Sequence, residues 1–261
     1  MKRTRFDVLL PMLLMAALPL PAHAQEPVPA FTVSANVGVF SQYIFRGISY
    51  SQEKPAVQGG FDLAHSSGLY LGVWGTNVSG DALPNAVGEI DVYGGYAHAI
   101  GDFTLDVGFL QFLFPGGEYN GSGENFNSLE LYAGVTWKFL NVKYSQMVTD
   151  YFGFNDRSMG MGRGDSDGSY YLEANVNYEF LPGWTAQLHV GRQDVKHYDQ
   201  YSFTDWKVGV TRNFEGGWQA GLSYVDTNVD KNAYLPICNG NGNGCKQPGD
   251  PNWLAFVKRT F

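Results

Sequence analysis

Apolar and polar residues alternate with a period of two along most of this chain. In the run 170–180, Tyr170, Leu172, Ala174, Val176, Tyr178 and Phe180 share one face, and Tyr171, Glu173, Asn175, Asn177 and Glu179 share the other. The run 128–139 sets Leu129, Leu131, Ala133, Val135, Trp137 and Phe139 against Glu130, Tyr132, Gly134, Thr136 and Lys138. In 103–109, Phe103, Leu105, Val107 and Phe109 oppose Thr104, Asp106 and Gly108. A helix would repeat at three- and four-residue spacing, so these runs predict strands. Further runs start near Phe31, Pro55, Leu69, Glu89, Val142, Trp184, Thr204, Trp218 and Trp253, about twelve in all. The run at 69–76 has large apolar residues on both faces; Leu69, Leu71 and Val73 are assigned outward.

The connections alternate in length. The gaps at 65–68, 101–102, 140–141, 181–183 and 215–217 are tight, and those at 47–54, 77–88, 115–127, 151–168, 193–203 and 227–252 are longer. One end of the sheet is therefore all turns and the other all loops. Outer-membrane barrels are built this way, with short periplasmic turns and long outer loops. A Greek-key sandwich has no reason to be. Aromatics agree: Phe61, Tyr70, Phe103, Trp137, Phe139, Phe180, Trp184, Phe214 and Trp218 flank the tight turns as a periplasmic girdle. Phe45, Phe112, Phe114, Tyr151, Tyr170, Trp206, Tyr224 and Trp253 are assigned to the outer girdle. Arg212 and Arg259 break the outward apolar pattern within three residues of a periplasmic strand end, where charge on the lipid face is cheap.

The ends of the chain place it in the same compartment. Lys2, Arg3 and Arg5 precede an apolar run at 8–20, and Ala22-His23-Ala24 offers a cleavage site, so residues 1–24 are expected to be a removed signal peptide. The run is too short for a spanning helix, and Pro11, Pro19 and Pro21 interrupt it. No later stretch approaches the roughly 20 apolar residues of a transmembrane helix. Phe261 ends the last strand, with Trp253, Ala255 and Val257 on its face, and is expected to be the signal read by the barrel assembly machinery.

Composition adds to this. There are 33 glycines in 261 residues, aromatics make up 15%, and the net charge is −8. Losing Lys2, Arg3, Arg5 and Asp7 takes the charge to −10, which argues against a nucleic-acid partner. Cys238 and Cys245 lie in a Gly/Asn tract, where an oxidising compartment favours a disulfide-closed loop near 238–245. A redox or metal pair is the competing reading, without a second cysteine pair or a nearby histidine to support it.

The candidate chemistry lies on inward faces. By parity Glu89, Asp91, Glu130, Glu173 and Asp205 line the outer half of the lumen, with Arg46 and Lys207 at the same level. The inner half sets Asp62, Asp106 and Glu179 against Lys138, Lys143 and Lys258. These charges either pair across the barrel or form a cation-favouring selectivity ring. Asp194, His197 and Asp199 share an outer loop but lack the further acids a protease needs. His98 and His189 find no serine at strand spacing for a lipid-cleaving triad. Asp226, Asn228 and Asp230 begin like a calcium loop, yet Lys231 stands where Gly is required and Ile237 where Glu should be. Asp165 and Asp167 are a second, weaker calcium candidate against a solvated turn. No metal, cofactor or catalytic residue is assigned.

The N-terminal half resembles a known family. Ser34-Ala35-Asn36-Val37, Tyr43, Phe45-Arg46-Gly47-Ile48-Ser49, Pro55-Ala56, Gln58-Gly59-Gly60-Phe61-Asp62, Gly72-Val73-Trp74-Gly75, Asn77-Val78 and the segment from Glu89 to Tyr96 are similar to the TorF family of outer-membrane porins. The resemblance covers roughly residues 31–110 in detail and the rest by pattern. It implies an outer-membrane barrel with a transport role, and carries over neither a substrate nor a catalytic motif. The combined expectation is an all-β, antiparallel up-and-down transmembrane barrel over 25–261, without a plug domain, in the bacterial outer membrane. It would pass small solutes and contact membrane lipid. The alternatives are a barrel enzyme acting on peptide or lipid, and a structural or adhesion barrel with a filled lumen.

Overall fold

Ten-residue amphipathic segments joined by tight turns have one way to satisfy every backbone group in lipid, which is to close on themselves. In the computed structural model, which describes residues 30–238 and 244–261, they do so. The barrel strands are β1 (Phe31–Phe40), β4 (Ala56–His65), β5 (Leu69–Thr76), β6 (Glu89–Ile100), β7 (Phe103–Leu113), β8 (Ser128–Trp137), β9 (Leu140–Met147), β10 (Tyr170–Leu181), β11 (Trp184–Asp194), β12 (Phe203–Asn213), β13 (Trp218–Thr227) and β14 (Asn252–Thr260). Two short strands, β2 (Ile44–Phe45) and β3 (Ile48–Ser49), form a separate hairpin. Each barrel strand pairs antiparallel with its neighbours, and β14 closes on β1 with Val39 opposite Val257. The all-β, twelve-stranded expectation holds. The expected signal peptide, 1–24, lies outside the described residues.

The outward face is apolar. Leu71, Leu131, Leu188 and Val208, from four different strands, are each 51% exposed. A band of such residues around the whole wall calls for lipid rather than water outside it. Leu69, Leu71 and Val73 face outward as expected. Phe61, Phe103, Trp137, Phe139, Phe180, Trp184, Phe214 and Trp218 are exposed at the short-turn rim, as a girdle should be. Arg212 donates to the Pro182 carbonyl at 2.6 Å and Arg259 to that of Gly216 at 3.2 Å, both at turns and both over aromatic rings. Among the described residues, no helix is long and apolar enough to cross a membrane.

Four expectations are corrected. The turn between β8 and β9 sits at 138–139 rather than 140–141; Lys138 adopts a positive φ of 55° there and lies over Trp137, so it does not face the lumen. Tyr70 points inward, away from the girdle. Phe45, Phe112, Phe114 and Tyr151 do not belong to the outer girdle but pack inside the barrel's outer end. Finally, β1 stops at Phe40, and the connection 41–55 turns into the lumen instead of rising above the membrane. The cause of this last difference is local. Arg46 (φ 47°) and Gly47 (φ 78°) are the two central residues of a tight hairpin turn, with Phe45 opposite Ile48. Two consecutive positive φ values are the geometry a two-residue hairpin needs.

Candidate functional site

Below the β2–β3 hairpin lies a cavity of about 680 Å³. It runs from the hairpin tip (Ile44, Phe45, Arg46 and Gly47) to the short-turn rim at Ala64, His65 and Gly68. Tyrosines laid flat against the wall keep this space open. Tyr70 sits opposite Gly95, Tyr93 opposite Gly72 and Tyr132 opposite Gly108 in the strand register. A Cβ added at Gly72 would lie 2.3 Å from the Tyr93 ring, and one at Gly95 or Gly108 would lie 2.5 Å from the facing tyrosine hydroxyl. The missing side chain is what lets each ring lie along the sheet rather than across the lumen. The ring hydroxyls then find partners: Tyr70 donates to Asp106 at 2.6 Å and meets the Tyr132 hydroxyl, and Tyr93 donates to Asp62.

The hairpin crosses the lumen and is fastened to the far wall. Arg46 Nη1 lies 2.7 Å from Glu130 Oε1, and its Nη2 donates to Oε2 at 2.9 Å, a two-pronged ion pair with β8. Nη1 also donates to Gln193 Oε1 on β11 at 3.0 Å, and the guanidinium stacks 4.1 Å over the Tyr171 ring of β10. The planar fork of arginine suits this combination of carboxylate and ring. At the hairpin base Tyr43 donates to Glu89 at 2.9 Å, and its backbone N–H donates to Ser51 at 2.8 Å.

Above the hairpin the outer mouth is filled. Leu83, Ala86, Phe112, Phe114, Phe126, Met147, Tyr151, Phe152, Val195 and Tyr198 form one buried apolar cluster drawn from several strands and outer loops. Phe45 of the hairpin packs edge-on against it, 5.5 Å from Phe112 and 6.4 Å from Phe152. Hairpin and cap are thus one packed unit. The loop 228–251 leans on it too: Ser49 N–H donates to the Pro248 carbonyl at 2.9 Å, and Lys246 pairs with Glu53 at 2.5 Å. Cys238 and Cys245 are joined by a disulfide within this loop.

The charges predicted for the outer lumen separate into two groups. Glu130, Glu173 and Asp205 line the cavity, together with Arg46 and Lys207. Glu89 and Asp91 face the interior but are buried, 3% and 5% exposed, and do not line the cavity. Most of the lining charges are paired. Glu173 meets Lys143 at 3.0 Å and accepts from Asn175 at 3.0 Å. Asp205 meets His189 at 2.9 Å and accepts from Tyr171 at 2.8 Å. His189 also contacts Asn175 through its other nitrogen, at 2.7 Å. Sequence reasoning ranked Lys143 and His189 below the acids and missed the tyrosines. The available signal was a glycine on an inward position directly across from each tyrosine, legible once the register is known.

The remaining candidates stay apart. His197 is exposed and contacts the Asp165 carbonyl at 2.9 Å. Asp199 begins a short 3-10 turn, and Asp194 ends β11. Among the described residues no three His, Cys, Asp or Glu side chains gather as a metal site. Phe261 donates its N–H to the Ala35 carbonyl at 2.8 Å, extending the β1–β14 seam.

Comparison with known proteins follows this architecture. Residues 24–261 match the family model described as a bacterial protein of unknown function, Gcw_chp. No curated protein sequence matches the chain. Among solved structures, the KdgM porin superposes with a TM-score of 0.52 at 12% identity, covering 87% of this chain and 99% of the porin. A structure of the KdgM porin in complex with disordered oligogalacturonate gives the same TM-score, identity and coverage. The COG4313 outer membrane channel from Pseudomonas putida F1 has a TM-score of 0.48 at 15% identity, covering 93% of this chain and 100% of the channel. At these identities the likeness is one of fold: the chain has the closed barrel of porin-like outer-membrane proteins.

Proposed function

We propose that this chain, which belongs to the Gcw_chp family of bacterial proteins, is an outer-membrane porin-like channel for passive passage of small solutes, held shut at its outer end in this conformation. The observation that carries the reading is the polar cavity inside a closed barrel whose outward face is apolar. A wall of tyrosine, asparagine and paired charges offers a solute hydrogen bonds in place of its water. The resemblance of the N-terminal half to the TorF porins supports the same reading. The β2–β3 hairpin is the barrier, and passage requires it to leave the far wall.

Ion selectivity follows from the lining. Asp106, Glu130, Glu173 and Asp205 face Arg46, Lys143 and Lys207, so the cavity carries a net charge of −1 with neutral histidines. Pairing leaves a weak preference for cations rather than the strong one of an unpaired carboxylate ring. Reversal potentials under a KCl gradient should lie slightly on the potassium side and lose that preference, crossing toward the chloride side, when Glu130 and Glu173 both become Gln and the lining turns net positive. Anion preference in the wild type would overturn this part.

The packed outer cap favours a second reading, a structural barrel whose outer lumen is permanently filled. Solute swelling of liposomes holding the purified protein separates the two. The channel reading expects swelling with small neutral sugars and amino acids. Absence of swelling, both in the wild type and after removal of the hairpin residues 42–52, would sink it.

A further inference from the structure

The cavity has two unlike walls. Along β5–β8 it is aromatic. Tyr70 and Tyr132 each lay one side of the ring on a glycine, Gly95 and Gly108, and their hydroxyls meet. The two rings form one shelf along the sheet and border the cavity. Lys143 Nζ stands 5.5 Å from the Tyr132 ring centre, whereas among the described residues no ring or cation stacks on Tyr70, which is half-buried. Along β9–β12 the wall is polar: Asn141, Asn175, His189, Lys207, Glu173 and Asp205 border the same space. Its charges are answered from within. Glu130 holds Arg46, Glu173 holds Lys143 and Asp205 holds His189. Tyr70 donates to Asp106 at 2.6 Å, and Glu173 and Asp205 both attract Lys207. A charged solute would have to break into one of these arrangements, and parting a buried pair is costly. A neutral one need not, because each carboxylate and amide has more hydrogen-bonding positions than one partner fills.

We infer that the lumen binds neutral pyranose sugars, with the apolar face of a sugar ring stacked on Tyr70 and the hydroxyls turned toward the polar strands. A pyranose is two-sided in the same way as the cavity: C–H groups cover a face of the ring and hydroxyls surround its edge. The face gains by leaving water for a flat aromatic surface, and a few placed polar groups fix its orientation. The volume of about 680 Å³ falls within the range of small-molecule sites. The same carboxylates that accept a sugar hydroxyl repel another carboxylate, so a lining of net −1 disfavours acidic sugars. An open-chain polyol brings the hydroxyls but no ring face, and loses the stacking.

This assignment rests on the channel reading for its purpose and names the solute class, yet it is read by binding at equilibrium and needs no flux. Saturation-transfer NMR on the detergent-solubilised full-length barrel would compare methyl β-glucopyranoside with glucuronate, which adds a carboxylate, and with sorbitol, which has no ring. The wild type should bind the glucopyranoside at least about threefold more tightly than either, the scale of one aromatic contact. Saturation should be strongest at its H1, H3 and H5, the axial hydrogens of one face. Tyr70→Phe keeps the ring and should keep that pattern. Tyr70→Leu should weaken binding about two- to tenfold and level the pattern. Heat-modifiable migration on gels verifies that each variant is folded, and the three-solute comparison in the wild type needs no variant. Sorbitol or glucuronate binding as tightly as the glucopyranoside, no binding of any of them, even saturation around the sugar, or unchanged affinity in folded Tyr70→Leu would each overturn the assignment. Absent binding with liposome swelling intact would sink this inference alone. Failed swelling with binding intact would sink the channel reading and leave this one standing.

Discussion

Replacing Glu130 by Gln removes the charge that fastens the hairpin and leaves Arg46 buried without its partner. In the folded protein the side chains of Arg46 and Glu130 are 8% and 2% exposed, and both prongs of the guanidinium are engaged, at 2.7 and 2.9 Å. Removing one member of a buried ion pair typically costs about 3–5 kcal/mol. Gln193 at 3.0 Å and the Tyr171 ring at 4.1 Å remain, so the lower end applies, about 3 kcal/mol. At about 1.4 kcal/mol per tenfold, the equilibrium between seated and released hairpin should shift roughly a hundredfold toward release. The barrel itself should be unaffected, because its strands are joined by backbone ladders that the hairpin does not enter. Planar-bilayer recordings are the assay: wild-type protein should spend little time conducting, and Glu130→Gln and Arg46→Ala should conduct far more often. Replacing both residues by Met removes the unpaired charge and should recover part of the closure. Conductance in Glu130→Gln indistinguishable from wild type, with heat-modifiable folding intact, would refute the latch.

Further outcomes follow from the same structure. Gly108→Ala should destabilise the barrel by about 1–3 kcal/mol in urea titrations, since the new methyl collides with Tyr132, whereas Gly80→Ala has open space and should be neutral. Mass spectrometry without reductant should find Cys238 and Cys245 linked, and the Cys238→Ser/Cys245→Ser pair should leave urea stability of the barrel nearly unchanged, because the ring lies in a loop outside the ladder. That pair should, however, speed protease cleavage of the 41–55 segment, because the loop 228–251 braces it at Ser49 and Glu53. Deleting Phe261 should sharply reduce folded protein in outer membranes, and wild-type levels after deletion would remove its role as an assembly signal.

Period-two alternation and the short/long rhythm of connections were enough to specify a closed antiparallel barrel. Both are local consequences of backbone pleating and of which end of the sheet faces which compartment. Parity also placed Glu130, Glu173, Asp205 and Lys207 on the inner wall, because a side chain on a strand has two directions to choose from. Parity could not say what each inward group would meet. Arg46 was expected on a strand near the lumen's outer level; it reaches that level on a hairpin, because its positive φ and that of Gly47 turn the chain back before β4. The aromatic residues show the same limit. Phe112 and Tyr151 carry the composition of a membrane girdle, and only the inward fold of the loops decides that they meet Phe152 instead of lipid. Pairings such as Arg46 with Glu130, 84 residues apart, depend on barrel circumference and shear. These are set by the closure of all twelve strands together. No single segment encodes them, so whether the lumen's charges pair or stand free was decided by the tertiary structure alone.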